Sequence, residues 1–479
     1  MSNTPAPSDT ESEAHGTRLG WAGTVTLAVL VGCELVLMLD GTVLNIALPA
    51  IREGLGFSPA GLSWVPNAFL LAFGGLLLLG GRAGDILGRR RVFVVGTVVF
   101  TAASLLGGLA QSQEWLIVAR VAQGLGAALA GPSTLALIIT TFQGAAQTRA
   151  LAIYSSVTAA AMTLGLLLGG LITTTLSWRW TLLINVPIGV LVVLLAPRHV
   201  VESPRHPGKF DLMGALTSAL AATGIVFGLA RAAEHGWTDP FTLVSLAAGV
   251  AAVIAFVLVE RHAAHPIMPL TLFADRSRAG GYLGILLVPM VTLSMQFLVV
   301  QFLQEVIGFN PLFAGLAFLP MAAGMLITAQ NAARPLRRFG PRTTAAIGIA
   351  LLLASTLWLT QLSATTTFWA GVFGPLLLAG AGLGLVVVPF NVTIMSTVDP
   401  EISGAASGLL QATMMIGASL GVAILTAVYA GTVGTGEPAS AELIASGMSA
   451  AFWTSSAIAA VALLATLTLI PPHREKAPA

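Results

Sequence analysis

The stretch GGRAGDILGRRRVF, residues 80 to 93, decides the fold, because it separates two apolar runs and returns in altered form later in the chain. Its counterpart is AARPLRRFGPRTT, residues 332 to 344. Both stretches carry an arginine, a glycine six residues later and a further arginine: Arg82, Gly88 and Arg90, then Arg334, Gly340 and Arg342. This weak internal repeat predicts two related helical bundles in one chain.

The composition of the 479-residue chain predicts that these bundles lie in a membrane. The chain is 56% hydrophobic and only 9% charged, whereas a soluble protein carries about 25% charged residues. An apolar run of about 20 residues crosses the hydrocarbon core as a helix. Such runs occur at 24–48, 61–79, 92–110, 115–139, 150–175, 181–196, 211–230, 241–259, 280–304, 311–333, 343–362, 367–394, 402–430 and 447–470. We therefore expect an all-α integral membrane protein with fourteen transmembrane helices.

The basic residues predict the side of the membrane that each loop faces, because Lys and Arg accumulate in cytosolic loops. With the N-terminus inside, eighteen of the 22 basic residues fall on the cytosolic side. Arg52, Arg179 and Arg231 fall outside, and Arg120 lies within the fourth span. We therefore expect a multi-pass protein of the cell membrane with both termini in the cytosol.

The repeat joins spans one to six with spans nine to fourteen, and this leaves two extra central helices between the bundles. The expected organisation follows: 1–20 a disordered cytosolic tail, 21–198 an N-terminal six-helix bundle, 199–278 cytosolic linkers with two extra transmembrane helices, 279–470 a C-terminal six-helix bundle, and 471–479 a cytosolic tail. No basic cluster precedes the first span and no small-residue cleavage site follows it, so a cleaved signal peptide is not expected.

Few residues point to a cofactor or a macromolecular partner. Cys33 is the single cysteine and has no internal disulfide partner. His262 and His265 have the spacing of a metal-ligand pair, but no third ligand lies nearby in the sequence, so we expect no metal. The net charge is only +2, and the basic residues are distributed according to the side of the membrane, so nothing in the sequence indicates a nucleic-acid-binding surface. We expect a monomer surrounded by membrane lipid.

Four stretches together resemble one family. GGRAGDILGRRR resembles the hallmark cytosolic loop of the major facilitator superfamily, and RVAQGLGAALAGP, residues 120 to 132, resembles the motif of its proton antiporters. LDGTVLNIALP, residues 39 to 49, and WRWTLLINVPIG, residues 178 to 189, are similar to signatures of the fourteen-span drug:proton antiporter family. The resemblance implies the major facilitator fold and export of hydrophobic, cationic or antibiotic-like small molecules by alternating access. The proton would be the coupling ion, and no cofactor would be needed.

The fifth span departs from this family. It reads TLGLLLGG, which retains Gly165, Gly169 and Gly170 but has Leu166 where the antiporter motif has proline. Proline would remove a backbone donor and kink the helix, whereas the glycines still allow close helix contact. Because the motif is associated with tight coupling, the departure keeps open an importer or uncoupled facilitator of the same fold.

The loop after the second span carries an acid that the positive-inside rule does not explain. The resemblance implies a conformational latch in which Asp85 pairs with an arginine or a helix N-terminus of the opposite bundle when the protein faces outward. The glycines would allow close backbone approach. The latch residues are Gly81, Arg82, Asp85, Gly88, Arg89 and Arg90. The alternative is a charged cytosolic loop with no further role.

Arg120 is an unusual residue for a membrane span. A central Arg costs about 2.5–3.5 kcal/mol even on the insertion scale, so we expect it to pair with an acid or with backbone groups in a cavity between the bundles. The alternative is that its side chain extends to the outer interface. In the first span Asp40 lies level with Arg120, which makes it the expected partner in a proton-coupling site.

Glu34 is the second acid of the first span. It lies about 9 Å from Asp40 along a helix axis and about 120° around it, so the two acids do not share a face. Desolvation favours a neutral carboxylic acid and a nearby cation favours the ionised form, so a site whose surroundings alternate can load and release protons. Glu34 could be a second proton carrier, a substrate contact or a neutral core acid, and Asp40 could instead bond to backbone at a helix irregularity.

Other polar residues of the spans are candidates for the substrate cavity. Gln296, Gln301 and Gln304 interrupt the ninth span, Glu305 ends it, and Asn391 lies in the twelfth. Each could equally be an interhelical hydrogen bond worth about 0.6 kcal/mol. A membrane enzyme would need a catalytic cluster, and the spans hold no histidine and no nucleophile paired with a base. We therefore expect a transporter and no enzyme.

Overall fold

The computed structural model describes residues 21–58, 61–203, 211–263, 266, 268, 270–395, 398, 403–433 and 440–472. Within these residues the fold is all-α. The helices are α1 Trp21–Leu55, α2 Trp64–Leu87, α3 Arg89–Gly108, α4 Gln113–Thr141, α5 Gly144–Thr175, α6 Trp180–Leu183 followed by Asn185–His199, α7 Leu212–His235, α8 Pro240–His262, α9 Arg276–Gln301, α10 Pro311–Leu316 followed by Leu319–Asn331, α11 Ala333–Leu359, α12 Phe373–Met395, α13 Ser403–Val433 and α14 Ala441–Leu469. The tail expected at 1–20 lies outside the described residues, and so does the tail expected at 471–479 apart from residues 471 and 472.

Each predicted span falls on one of these helices. Of the described segments, thirteen are long and apolar enough to cross a membrane, and α5 contributes the shorter apolar stretch Leu164–Thr175. Helices dominate because lipid offers no hydrogen-bond partners, so every backbone group of a spanning segment must be satisfied within the segment. The helices extend beyond the apolar runs at many of their ends, for example α1, which reaches Leu55.

The internal repeat has a structural counterpart. Gly88 separates α2 from α3 with φ of 105°, and Gly340 breaks α11 with φ of 75°. Such positive φ values favour glycine because a Cβ would clash with the backbone. The two arginine-rich stretches are therefore helical on both sides of a single glycine break, whereas the sequence predicted open loops.

Two six-helix bundles form the bulk of the molecule, α1–α6 and α9–α14. Small residues allow their helices to approach closely, as is usual where lipid provides no hydrophobic drive. A Cβ at Gly80 of α2 would lie 1.9 Å from the Ala128 carbonyl oxygen of α4. In the second bundle a Cβ at Gly380 of α12 would lie 1.9 Å from the Met321 carbonyl oxygen of α10.

The bundles meet along α2 and α13 and, elsewhere, at one end of the molecule. We call the end with the stretches at 80–93 and 332–344 the arginine-rich end, and the opposite end, with the C-terminus of α1, the far end. At the far end Gln304 Nε2 donates to the Ile46 carbonyl at 2.9 Å, and the Leu312 N–H donates to Thr174 Oγ1 at 3.1 Å. α5 packs against the first segment of α10 there.

The arginine-rich end is open between α5 and α10. Among the described residues, α5 makes no extended contact with Leu319–Asn331 of α10. On the other side of the molecule α2 follows α13 over most of its length, from Asn67, which accepts a hydrogen bond from Ser419 at 3.0 Å, to Leu78 beside Gly408. The backbones of α5 and α10 are therefore in contact at the far end and separate toward the arginine-rich end, and we call the space between them the cleft.

The extra helices α7 and α8 pack on the closed side. α7 contacts α2 and α13, and the apolar cluster there includes Leu71, Val226 and Ala423. α8 packs on α7, where Gly224 and Gly249 bring the two backbones together. The pair thus covers the α2–α13 contact, and α8 has few buried residues of its own.

Candidate functional site

The fourth helix positions the buried arginine. α4 begins at Gln113, where the Ser112 side chain accepts the N–H of Trp115 and so satisfies a free donor of the first turn. Two turns further, Arg120 Nη1 lies 2.5 Å from Asp40 Oδ2 of α1. Both residues are 1% exposed. The structure therefore brings together the acid and the arginine that the sequence placed at one level.

Asp40 has two further donors that the sequence analysis did not identify. Asn185 Nδ2 of α6 donates to Asp40 Oδ1 at 2.8 Å, and Gln123 Nε2 of α4 donates to the same oxygen at 3.0 Å. Gln123 also accepts from Arg120 at 2.9 Å and donates to Ser104 of α3 at 2.8 Å. Gln123 could have been predicted from the sequence, because it follows Arg120 by three residues and residues three apart on a helix share a face.

This network lies inside the N-terminal bundle rather than in the cleft between bundles. It joins α1, α3, α4 and α6. It reaches α2 through Arg120, whose Nε donates to the Val65 carbonyl at 3.1 Å and whose guanidinium lies 4.5 Å from the centre of the Phe69 ring. Because α2 contacts α13, the network is one helix away from the second bundle.

Glu34 faces a different helix. It is 3% exposed, and the hydroxyl groups of Tyr154 and Thr158 on α5 face its carboxyl group. Asp40 by contrast faces α4 and α6. The two acids of α1 therefore occupy separate environments, one against a guanidinium and two amides, the other against two hydroxyls.

The candidate latch residues lie at the arginine-rich end between α2 and α3. Asp85 Oδ1 is 2.9 Å from Arg89 Nη2, four residues on in the same bundle. Gly81 lies beside Pro132 of α4, and Gly84 lies beside Ser133. Arg82 is half-buried. In this structure Asp85 thus pairs within its own bundle while the far end is closed.

Gly88 is required by a contact with the segment after α6. The Glu202 carboxylate accepts the backbone N–H of Arg90 at 2.9 Å, and Ser203 Oγ accepts that of Arg89 at 3.3 Å. These bonds cap the N-terminus of α3, where a negative charge is also favoured by the helix dipole. A Cβ at Gly88 would lie 2.8 Å from the Glu202 carboxylate.

The α5 glycines serve two different contacts. Gly165 and Gly169 face α1, where a Cβ would lie 1.8 Å from Thr42 Oγ1 and 2.4 Å from the Val43 carbonyl oxygen. A Cβ at Gly170 would instead lie 2.5 Å from the Pro311 carbonyl oxygen of the second bundle. Leu166, where the motif has proline, is buried, and its carbonyl faces Gly315 of α10.

The candidate cavity residues do not form a cluster. Gln301 Nε2 donates to the Phe297 carbonyl of its own helix at 3.1 Å, and Asn391 Nδ2 donates to Val387 at 2.8 Å. Gln296 lies 3.8 Å from the Met321 sulfur. In the described part of the chain no hydrogen bond joins any two of Glu34, Gln296, Gln301 and Asn391. Among the described residues no three His, Cys, Asp or Glu side chains are grouped so that they could hold a metal ion, and His265 lies outside the described residues.

Comparisons with known proteins agree on one family. A model described as the Major Facilitator Superfamily matches residues 30–422. The chain is 39% identical over 430 residues to the cephamycin export protein CmcT of Amycolatopsis lactamdurans, covering 88% of each chain. It is 38% identical over 415 residues to the puromycin resistance protein pur8 of Streptomyces alboniger, covering 85% of this chain and 81% of that one.

Solved structures support the same fold. The crystal structure of the peptide transporter POT in complex with sulfate matches with a TM-score of 0.69, covering 97% of this chain and 98% of the other. The sequence identity is 15%, so this likeness concerns the fold alone.

Proposed function

Because the chain belongs to the major facilitator superfamily, we propose that it is a proton-coupled exporter of hydrophobic, cationic or antibiotic-like small molecules. The observation that carries export is the 39% identity to a cephamycin export protein over 88% of each chain. The family consists of membrane transporters, and we propose no enzymatic activity for this chain.

We place the arginine-rich end in the cytosol and the far end outside the cell. The positive-inside rule supports this orientation, which also puts both termini in the cytosol. The structure then corresponds to an inward-open state, closed outside and open to the cytosol along α5 and α10. A substrate would enter the cleft from the cytosolic side and leave when the far end opens.

Hydrogen-bond chemistry suggests different duties for the two acids of α1. Arg120, Gln123 and Asn185 all donate to Asp40, so its carboxyl group is held by three donors within the N-terminal bundle. The hydroxyls that face Glu34 can donate to a carboxylate or accept from a carboxylic acid. We propose that Glu34 exchanges the proton and that the Asp40–Arg120 pair holds α1 in the geometry that coupling requires.

Inside-out membrane vesicles test this proposal. With an acidic lumen, protons leave through the protein, and a fluorescent hydrophobic dye should accumulate inside. Glu34→Gln should abolish the part of the uptake that depends on the pH gradient, and Asp40→Asn should reduce it strongly. Glu114→Gln serves as a control, because that exposed acid lies at the start of α4 away from both sites. Full gradient-driven uptake by both Glu34→Gln and Asp40→Asn would refute the proposed coupling.

An uncoupled facilitator is the second candidate, and Leu166 is the observation that favours it. Without the motif proline α5 runs unbroken from Gly144 to Thr175. Dye equilibration at the same rate with and without a pH gradient would support the facilitator. Accumulation above equilibrium only in the presence of the gradient would exclude it.

A further inference from the structure

One ion pair joins the two bundles at the far end. Arg52 Nη1, in the last turn of α1, lies 2.7 Å from Glu305 Oε1, beyond the end of α9. The described residues contain four other ion pairs, and each lies within one bundle, between a bundle and its linker, or between α7 and the start of α8. Separation of the bundles at the far end therefore has to break the Arg52–Glu305 pair.

A local change of helix type directs Glu305 toward α1. Residues Phe302–Val306 form a π-helical turn, which is wider than an α-helical turn and frequent at functional sites. The same turn carries Gln304, which donates to the Ile46 carbonyl of α1. Two neighbouring side chains of the turn after α9 thus contact the C-terminal part of α1.

The surroundings of Glu305 combine burial with access. Its side chain is 15% exposed and that of Arg52 is 30% exposed, so protons from the far-end solution can reach the pair. The other titratable groups that face Glu305 are Glu53 of α1 and Tyr429 of α13. Arg52 is the one cation among these groups, so it alone offsets the negative charge of Glu305.

We propose that Glu305 is a proton-binding site of the far end, and that its protonation releases Arg52 and allows the bundles to separate there. The carboxylate takes up one proton and becomes a neutral acid, and no other bond forms or breaks covalently. The attraction to the guanidinium is then lost, while Glu53 remains as an exposed partner for Arg52. This inference rests on the proposed proton-coupled export, because it assigns the outward step of that cycle to an external proton.

The distance between the bundles at the far end measures the proposed opening directly. Spin labels at Gln111→Cys and Ala370→Cys, both exposed, in a Cys33→Ser background would report it by double electron–electron resonance in lipid nanodiscs. In the otherwise unchanged protein the ratio of open to closed distances should rise as pH falls from 8 to 5, by at most about tenfold per pH unit for one proton. In Glu305→Gln the open distance should dominate at both pH values.

Charge exchange separates the ion pair from a folding defect. Arg52→Glu combined with Glu305→Arg should restore the closed distance at pH 8 and the opening at pH 5. Arg231→Gln with Asp239→Asn provides a matched control, because that pair has the same 2.7 Å separation and similar exposure but joins α7 to the start of α8. The control should behave like the unchanged protein. A Glu305→Gln protein that still closes at pH 8 and opens at pH 5 would overturn the inference.

The distance measurement needs neither a substrate nor a pH gradient, so it can refute the role of Glu305 whether or not the proposed function is correct. If dye transport ignores the gradient but the distance still depends on Glu305, export is uncoupled and the proton-sensitive gate stands. If transport requires the gradient but the distance in Glu305→Gln still changes with pH, proton-coupled export is supported and Glu305 is not the proton-binding site of the far end.

Discussion

Asp40 illustrates how a charge is tolerated in a membrane helix. Its two oxygens accept from a guanidinium and two amides, contributed by α4 and α6. Burial of an ion pair costs several kcal/mol per ion, and good geometry with further hydrogen bonds is needed to offset this cost. The pair is therefore sensitive to the loss of one member.

Removal of Arg120 should destabilise the protein more than removal of an amide. Arg120→Met leaves the buried Asp40 charge without its cation, and we expect a loss of about 3–5 kcal/mol in the free energy of unfolding. Asn185→Ala removes one of several donors and should cost about 1 kcal/mol. Denaturant unfolding of the detergent-solubilised proteins measures both. Equal losses would contradict this account, and Arg120→Met with Asp40→Leu should recover part of the first loss.

Gly88 can be tested against another glycine with positive φ. In Gly88→Ala the residue keeps a positive φ that is unfavourable for alanine, and its new Cβ would lie 2.8 Å from the Glu202 carboxylate. Gly236 also has a positive φ, of 84°, but a Cβ there would meet nothing within 4 Å. Backbone strain alone costs about 1–3 kcal/mol. We expect Gly88→Ala to lower the melting temperature more than Gly236→Ala does. Adding Glu202→Ala to Gly88→Ala should reduce the difference, and no reduction would contradict the proposed contact.

The sequence predicted part of this site. The rise per residue of a helix placed Asp40 level with Arg120, and their contact is observed. Asn185 and Ser104 were not identified, because their place depends on how α3 and α6 pack and not on any local pattern. Glu305 was noted only as the residue that ends the ninth span, since its partner Arg52 is 253 residues away in the chain.

At the level of elements, α5 divides its glycines between two partners. Gly169 packs on α1 of its own bundle, while Gly170 packs on α10 of the other, with nearly equal clearance at the two positions. Gly170 thus contributes to the closed far end in this structure. Sequence reasoning predicted close helix contact at these glycines but not which helices they would meet.

Gly170→Val should favour the state that is open at the far end. The added side chain would collide with the Pro311 carbonyl, and separation of the bundles relieves this collision. Gly169→Val is the matched variant, because its collision with the Val43 carbonyl lies within one bundle and is not relieved by separation. Spin labels at Gln111→Cys and Ala370→Cys should show longer distances for Gly170→Val only. Equal distance distributions for the two variants would contradict the assignment.

For the whole molecule, alternating access requires the far end to open during transport. Thr174→Cys with Leu312→Cys should allow a disulfide across the bundles, because the Leu312 N–H already lies 3.1 Å from the Thr174 hydroxyl. Oxidation should stop dye uptake by inside-out vesicles, and reduction should restore it. Each single cysteine variant should transport under both conditions. Transport that persists after complete cross-linking would show that this contact need not separate.

The fold as a whole was predicted well, since apolar run length and the arginine bias depend on membrane physics alone. The count of fourteen spans followed from them, and the two-bundle repeat followed from the matching stretches at 80–93 and 332–344. The position of α7 and α8 did not, because both bundles present apolar surface to lipid and the sequence does not say which of these surfaces the extra pair covers. The structure places α7 against α2 and α13.

That placement restricts how the bundles can turn. Because α7 packs on both α2 and α13, we expect rotation of one bundle relative to the other to displace residues less beside α7 than at α5 and α10. Small residues at the contact of α7 with α2, such as Gly75 against Ala219, permit sliding there without repacking of bulky side chains. We therefore expect the opening through which a substrate passes to depend mainly on the distance between α5 and α10.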